Sequence, residues 1–199
     1  MLLIRLFLSV CCAFVANHAV AGDWAGPIEV PPLGTQVVYQ VETRQGVRRQ
    51  MEVYVGKVDA GLHQWDMFGF YSNGKRANKP FQKIYRDDQF RLVKLVSNIG
   101  TDNPTIREYT PFKCDRTLGA CSYSWTRRSG DEVSQGSETT NSFLENGYLV
   151  VQRQFERFGH QILQSRRSKF NRYGMTTEAT LVSNGHISWK LTLLEVILQ

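Results

Sequence analysis

Beyond its first 21 residues the chain has only two of its four cysteines, Cys114 and Cys121. Long hydrophobic runs are equally scarce. The longest apolar stretch, Leu6 to Ala16, has 11 residues, too few for a spanning helix, which needs about 20. After it, no stretch of ten or more residues carries a helical stripe. The catalytic signatures that can be searched for are missing: there is no Gly-x-Ser-x-Gly elbow, phosphate loop, His-Glu-x-x-His or dinucleotide fingerprint. His63, His160 and His186 lie in separate segments without the spacing of metal ligands. The cysteines do not form a Cys-x-x-Cys redox pair. These absences argue against an enzyme, a metal centre and a bound cofactor, and none of the three is expected.

What is present begins with an export signal. Arg5 supplies a positive start, Leu6 to Ala16 the apolar centre, and Ala19-Val20-Ala21 a small-x-small cleavage site before Gly22. The alternative of lipidation at Cys11 is disfavoured, because bulky Val10 occupies a position that wants a small residue and the cut would fall within the apolar centre. The expectation is a periplasmic or secreted protein. The segment 22–33, with Pro27, Pro31 and Pro32, is expected to be an extended lead-in, and 34–199 a single domain.

The pattern of that domain has a period of two. Val37, Tyr39 and Val41 alternate with Val38, Gln40 and Glu42, Met51, Val53 and Val55 with Gln50, Glu52 and Tyr54, and Ile187, Trp189, Leu191 and Leu193 with Ser188, Lys190 and Thr192. Such runs, rich in β-branched and aromatic residues, describe strands with one buried face. Turn signals separate them, including the three pairs Asn73-Gly74, Asn146-Gly147 and Asn184-Gly185. The sequence thus predicts an all-β fold of about ten antiparallel strands, forming a curled sheet, a partly open barrel or a sandwich.

In an oxidising compartment Cys114 and Cys121 are expected to form a structural disulfide closing a hairpin loop, with arms at about 105–112 and 121–128. Charge supplies a second feature. Without Arg5 the chain keeps 23 basic and 18 acidic side chains, a net charge of +5. That surplus falls between residues 150 and 174, where Arg153, Arg157, Arg166, Arg167, Lys169 and Arg172 face Glu156 alone. Pairing of 149–157 with 161–169 would put several of these cations on one region of surface, suited to lipid phosphate, an anionic polymer or an acidic protein. Nucleic acid is not expected as a partner of an exported chain. A solvated strand face is the plainer reading of the same charges.

Aromatic residues crowd Trp65, Phe68, Phe70 and Tyr71, and Tyr123 with Trp125 follows the second cysteine. Trp65, Phe68, Phe70 and Trp125 are the candidates for lining an apolar ligand site, against the alternative of ordinary core packing. Asp66 should point away from Trp65 and Met67. The function expected from these features is that of an envelope protein that binds an apolar ligand or an envelope partner, with peripheral membrane contact. Docking of an anionic partner through 150–174 is the alternative, and a hydrolase with an unrecognised site the second.

Overall fold

The structure, a computed structural model, describes residues 28–58, 61–110, 118–157 and 160–199. The export signal, Cys11, the first part of the lead-in and Cys114 therefore lie outside the described residues.

Twelve strands run in sequence: β1 (Gln36–Thr43), β2 (Gly46–Lys57), β3 (His63–Gly69), β4 (Gln82–Arg86), β5 (Leu92–Ser97), β6 (Thr105–Thr110), β7 (Gly119–Ser129), β8 (Glu132–Glu145), β9 (Tyr148–Arg157), β10 (His160–Phe170), β11 (Thr176–Ser183) and β12 (His186–Ile197). Each pairs antiparallel with the next, and β1 pairs with β12, from Gln36 opposite Ile197 to Thr43 opposite Trp189, so the sheet closes. All-β architecture agrees with the sequence reading. The count of ten becomes twelve, and the partly open barrel or sandwich becomes a closed barrel. Closure satisfies the two edges that a flat sheet would leave exposed. It depends on pairing between the first and last strands, which no local pattern signals.

The turns follow their sequences. Asn146 (φ 49°) with Gly147 (φ 76°), and Asn184 (φ 48°) with Gly185 (φ 79°), adopt the left-handed conformation at both central positions, and the two-residue loops they form suit strand twist. Within the expected arms 105–112 and 121–128, β6 and β7 pair antiparallel from Thr105 opposite Ser129 to Thr110 opposite Ser124, and residues 111–117 lie outside the described residues. The 149–157/161–169 hairpin forms as β9 and β10.

Alternation then assigns each residue to the lumen or the outside. Val37, Tyr39 and Val41 of β1 turn inward, with Tyr54, Trp65, Met67 and Ile84 of the next strands. Because consecutive strands pair antiparallel, the β1–β2, β3–β4, β5–β6, β7–β8, β9–β10 and β11–β12 connections share one end, and the remaining connections, the start of β1 and the end of β12 share the other. That second end is closed. Phe90, Tyr173 and Met175, from the β4–β5 and β10–β11 loops, join the buried cluster around Tyr39 and Trp65, and Ile28 of the lead-in packs against it. Phe90 is only 2% exposed although its φ of 58° is unusual for a bulky side chain. Arg86 donates to the Phe90 carbonyl at 2.9 Å, and the Phe90 amide donates to Asp87 at 2.8 Å. Together these contacts hold the strained residue in the plug.

The outer wall is predominantly polar. Ser122, Ser124 and Thr126 of β7, Gln135, Ser137 and Thr139 of β8, and Gln152 and Gln154 of β9 occupy the outward positions. A lipid-facing barrel needs an apolar band there. A second, smaller cluster of Val38, Met51 and Phe68 lies on the outward side of β1–β3, where the Arg76 guanidinium covers Phe68 at 4.4 Å from the ring centre.

Candidate ligand-binding lumen

Above the plugged end the lumen changes character. A cavity of about 270 Å3 is lined by Tyr123, Thr140, Val151, Arg153, Gln164, Arg166, Leu181 and Trp189. These residues come from β7 to β12, and the pairings place them on one wall: Thr140 opposite Arg153, Arg153 opposite Gln164, Val151 opposite Arg166, Arg166 opposite Leu181 and Leu181 opposite Trp189. Cations and amides therefore alternate with aliphatic and indole surface inside a single cavity.

Two groups of contacts fix the polar part. Glu138 of β8 accepts hydrogen bonds from the Tyr123 hydroxyl at 2.7 Å and from Arg153 at 2.8 Å. Arg153 donates a further bond from Nε to Gln164 at 2.8 Å, and its guanidinium lies 5.1 Å from the Phe155 ring centre. Burial first, and then the Glu138 carboxylate, push the Tyr123 hydroxyl far above the usual tyrosine range, which keeps it a donor. Gln164 in turn donates to Ser183 at 3.0 Å.

Further towards the open end, Arg107 of β6 stands directly opposite Arg127 of β7. Both share a face with the inward Leu95, which opposes Arg107. Like charges placed directly opposite destabilise a sheet. Arg107 is cushioned by the Trp125 ring, 5.0 Å from its guanidinium, and Trp125 itself lies against Gly136, where any Cβ would come within 2.6 Å of the indole. Arg48, opposite the inward Val41, adds a cation at the rim. The upper lumen thus holds Arg107, Arg127, Arg153 and Arg166 around Glu138, with Arg48 and Glu132 at exposed rim positions of the same face. Near the plug a smaller space of about 50 Å3 is lined by residues including Tyr39, Glu52 and Arg86. Burial there raises the Glu52 carboxyl above its ordinary value, and the Arg86 charge opposes that shift in part. Among the described residues, the buried side-chain atoms with no hydrogen-bond partner include Ser142 Oγ, Ser168 Oγ and Trp125 Nε1 at inward positions and Arg167 Nε at an outward one.

The residues singled out from sequence divide between the two faces. Arg153 and Arg166 line the cavity. Arg167 and Lys169 lie outside against the Tyr148 ring, at 4.0 and 4.2 Å, and Lys169 pairs with Glu178 at 2.8 Å. Arg172 sits in the β10–β11 loop at the closed end, 3.5 Å from Glu29. The Arg157 side chain is outside the described set. The five described cations consequently do not form one surface, because consecutive strand positions point to opposite faces. The aromatic candidates divide likewise. Trp65 and Trp125 face the lumen, while Phe68 belongs to the outer cluster and Phe70 packs against it. Cys121 is in β7, opposite Thr140. Asp66 points outward and accepts from Gln64 at 2.6 Å. His160 and His186 are exposed.

Trp189, Leu181, Val151, Gln164, Thr140, Glu138 and the Arg107–Arg127 pair were not anticipated as site residues. Trp189 had a usable signal, since it shares the apolar period of Leu191 and Leu193. The others are separated along the chain, and only cross-strand register joins them.

His63 is the second cluster of chemical interest. It is 1% exposed, its Nδ1 is 2.6 Å from the Tyr54 hydroxyl, and its Nε2 is 3.4 Å from Asp88, which also pairs with Lys57 at 2.6 Å. The ring lies 4.6 Å from Phe90. The Lys57 ammonium holds the Asp88 carboxyl below its ordinary value. This set fastens the plug loop to β2 and β3. Among the described residues no group of three or more histidine, cysteine or acidic side chains is arranged to hold a metal ion. No protein-family model, curated protein or solved structure matches this chain.

Proposed function

We propose that this protein is an exported, non-catalytic binding protein whose barrel lumen holds a small anionic amphiphile, with a carboxylate or phosphate head. The observation that carries the reading is the cavity of about 270 Å3 whose wall interleaves Arg153, Arg166 and Gln164 with Val151, Leu181 and Trp189. Ligand pockets typically combine apolar walls with a few placed polar groups. Guanidinium forks match carboxylate and phosphate oxygens, and the excess of inward arginine over inward carboxylate is costly unless an anion enters. The apolar ligand expected from sequence thereby gains a charged head. The volume, near the lower limit of small-molecule sites, favours a short chain.

The test is a titration of the purified protein with decanoate, decyl phosphate and decanol, followed by tryptophan fluorescence, since Trp189 lines the cavity. The two anions should bind and decanol should bind at least about tenfold more weakly, the least that a charge-assisted hydrogen bond is expected to contribute. Arg166→Gln should weaken the anions by about 10-fold or more and leave decanol unchanged. Equal affinity for all three compounds would refute the reading.

A further inference from the structure

The open end is not uniform around its circumference. In the sector formed by β12, β1, β2 and β3, three large apolar side chains stand at the rim: Val47 is 65% exposed, Tyr71 59% and Ile187 49%. The same sector carries Arg44, Arg48 and Arg49 on and beside the β1–β2 turn, and Lys75, Arg76 and Lys79 on the β3–β4 loop, all exposed. Among the described residues none of these six cations is in an ion pair, and Glu42, which accepts from Gln40, is the nearby acid. The closed end is built the opposite way. There Lys57 pairs with Asp88, Arg91 with Asp87, Lys169 with Glu178 and Arg172 with Glu29. The acids of the remaining open-end loops, Asp102, Asp131 and Glu132, belong to β5–β6 and β7–β8, away from this sector.

We infer that this sector of the mouth docks on the surface of an anionic lipid bilayer. The cations of the closed end are paired with carboxylates, whereas those of the mouth are left without protein counterions, which lipid phosphates would supply. The guanidinium groups of Arg49 and Arg76 lie over the Phe70 and Phe68 rings, at 5.0 and 4.4 Å from the ring centres, which restrains the positions of their charge. Val47, Tyr71 and Ile187 are separate protrusions on neighbouring elements, placed for shallow insertion between headgroups rather than for covering one continuous patch. The contact would bring the lumen opening to the membrane surface. This inference stands on the rim alone and does not require the lumen to hold an anion.

The experiment is co-flotation of the purified protein with vesicles of phosphatidylglycerol and phosphatidylcholine, against pure phosphatidylcholine. The protein should float with the anionic vesicles at least 10-fold more than with neutral ones, and the difference should collapse at about 0.5 M salt, where screening is short-ranged. The double charge reversal Arg44→Glu with Lys75→Glu should abolish flotation. Val47→Ser with Tyr71→Ser should reduce it several-fold, while Arg172→Glu at the closed end should leave it unchanged. Arg166→Gln, which addresses the lumen, should also leave it unchanged, so failure of either reading is seen separately. Equal partition onto neutral and anionic vesicles, or retention of flotation by the Arg44/Lys75 reversal, would overturn the inference.

Discussion

Gly136 shows how one residue can shape the lumen. Its hydrogen leaves the space that the Trp125 indole fills, with the ring edge 2.6 Å from where a Cβ would be. The indole in turn supports Arg107. Gly136→Ala should displace the indole and destabilise the fold by about 1–3 kcal/mol, as overpacking does, measurable by urea denaturation with near-ultraviolet dichroism reporting the tryptophan. Glu52 makes a second point at this scale. Its carboxyl is raised above the ordinary value chiefly by burial, so the folded state holds the proton more tightly than the unfolded chain. Stability from this group is therefore full at pH below the unfolded value and is lost as pH rises through the higher folded value. Relative to Glu52→Gln, the wild type should lose stability over that rise. Parallel curves for the two proteins across the acid range would show that Glu52 does not carry the shift.

Strands and turns were the legible part of this chain. Alternation of apolar residues located β1 and β12, whose apolar face meets the lumen, and β2, whose Met51 and Val53 instead face outward, and Asn146-Gly147 and Asn184-Gly185 formed the turns that their tolerance of positive φ allows. Asn146→Val should cost about 1–2 kcal/mol, since a β-branched residue resists that conformation, and thermal melting would measure it. The plug was not legible. Phe90 follows Asp87-Asp88-Gln89, a polar stretch that signals a turn, and only the closing of the barrel gives its ring a buried site beside His63 and Trp65. Phe90→Ala should lower stability by about 3–5 kcal/mol, with increased binding of an apolar dye at the opened end. A loss below 1 kcal/mol would mean that the loop does not seal the lumen. The cavity was legible in part: the cluster of arginine between 150 and 174 was visible, but alternation sends Arg153 and Arg166 inward and Arg167 and Lys169 outward. A charge count along the chain cannot make that division without the register of β9 and β10.

At the scale of the molecule, closure of β1 on β12 converts twelve short ladders into a container with one sealed and one open end. We propose that a bridge between Cys114 and Cys121 adds covalent support. Replacing both cysteines by serine should cost about 2.5 kcal/mol on loop-entropy grounds, and intact mass before and after alkylation would report whether the thiols are joined. The container itself is most directly tested by intermolecular nuclear Overhauser contacts between 13C-decanoate and the methyl groups of the protein. The account predicts contacts to Val151 and Leu181, which line the cavity. Contacts confined to Leu163, 55% exposed on the outward face, would contradict it.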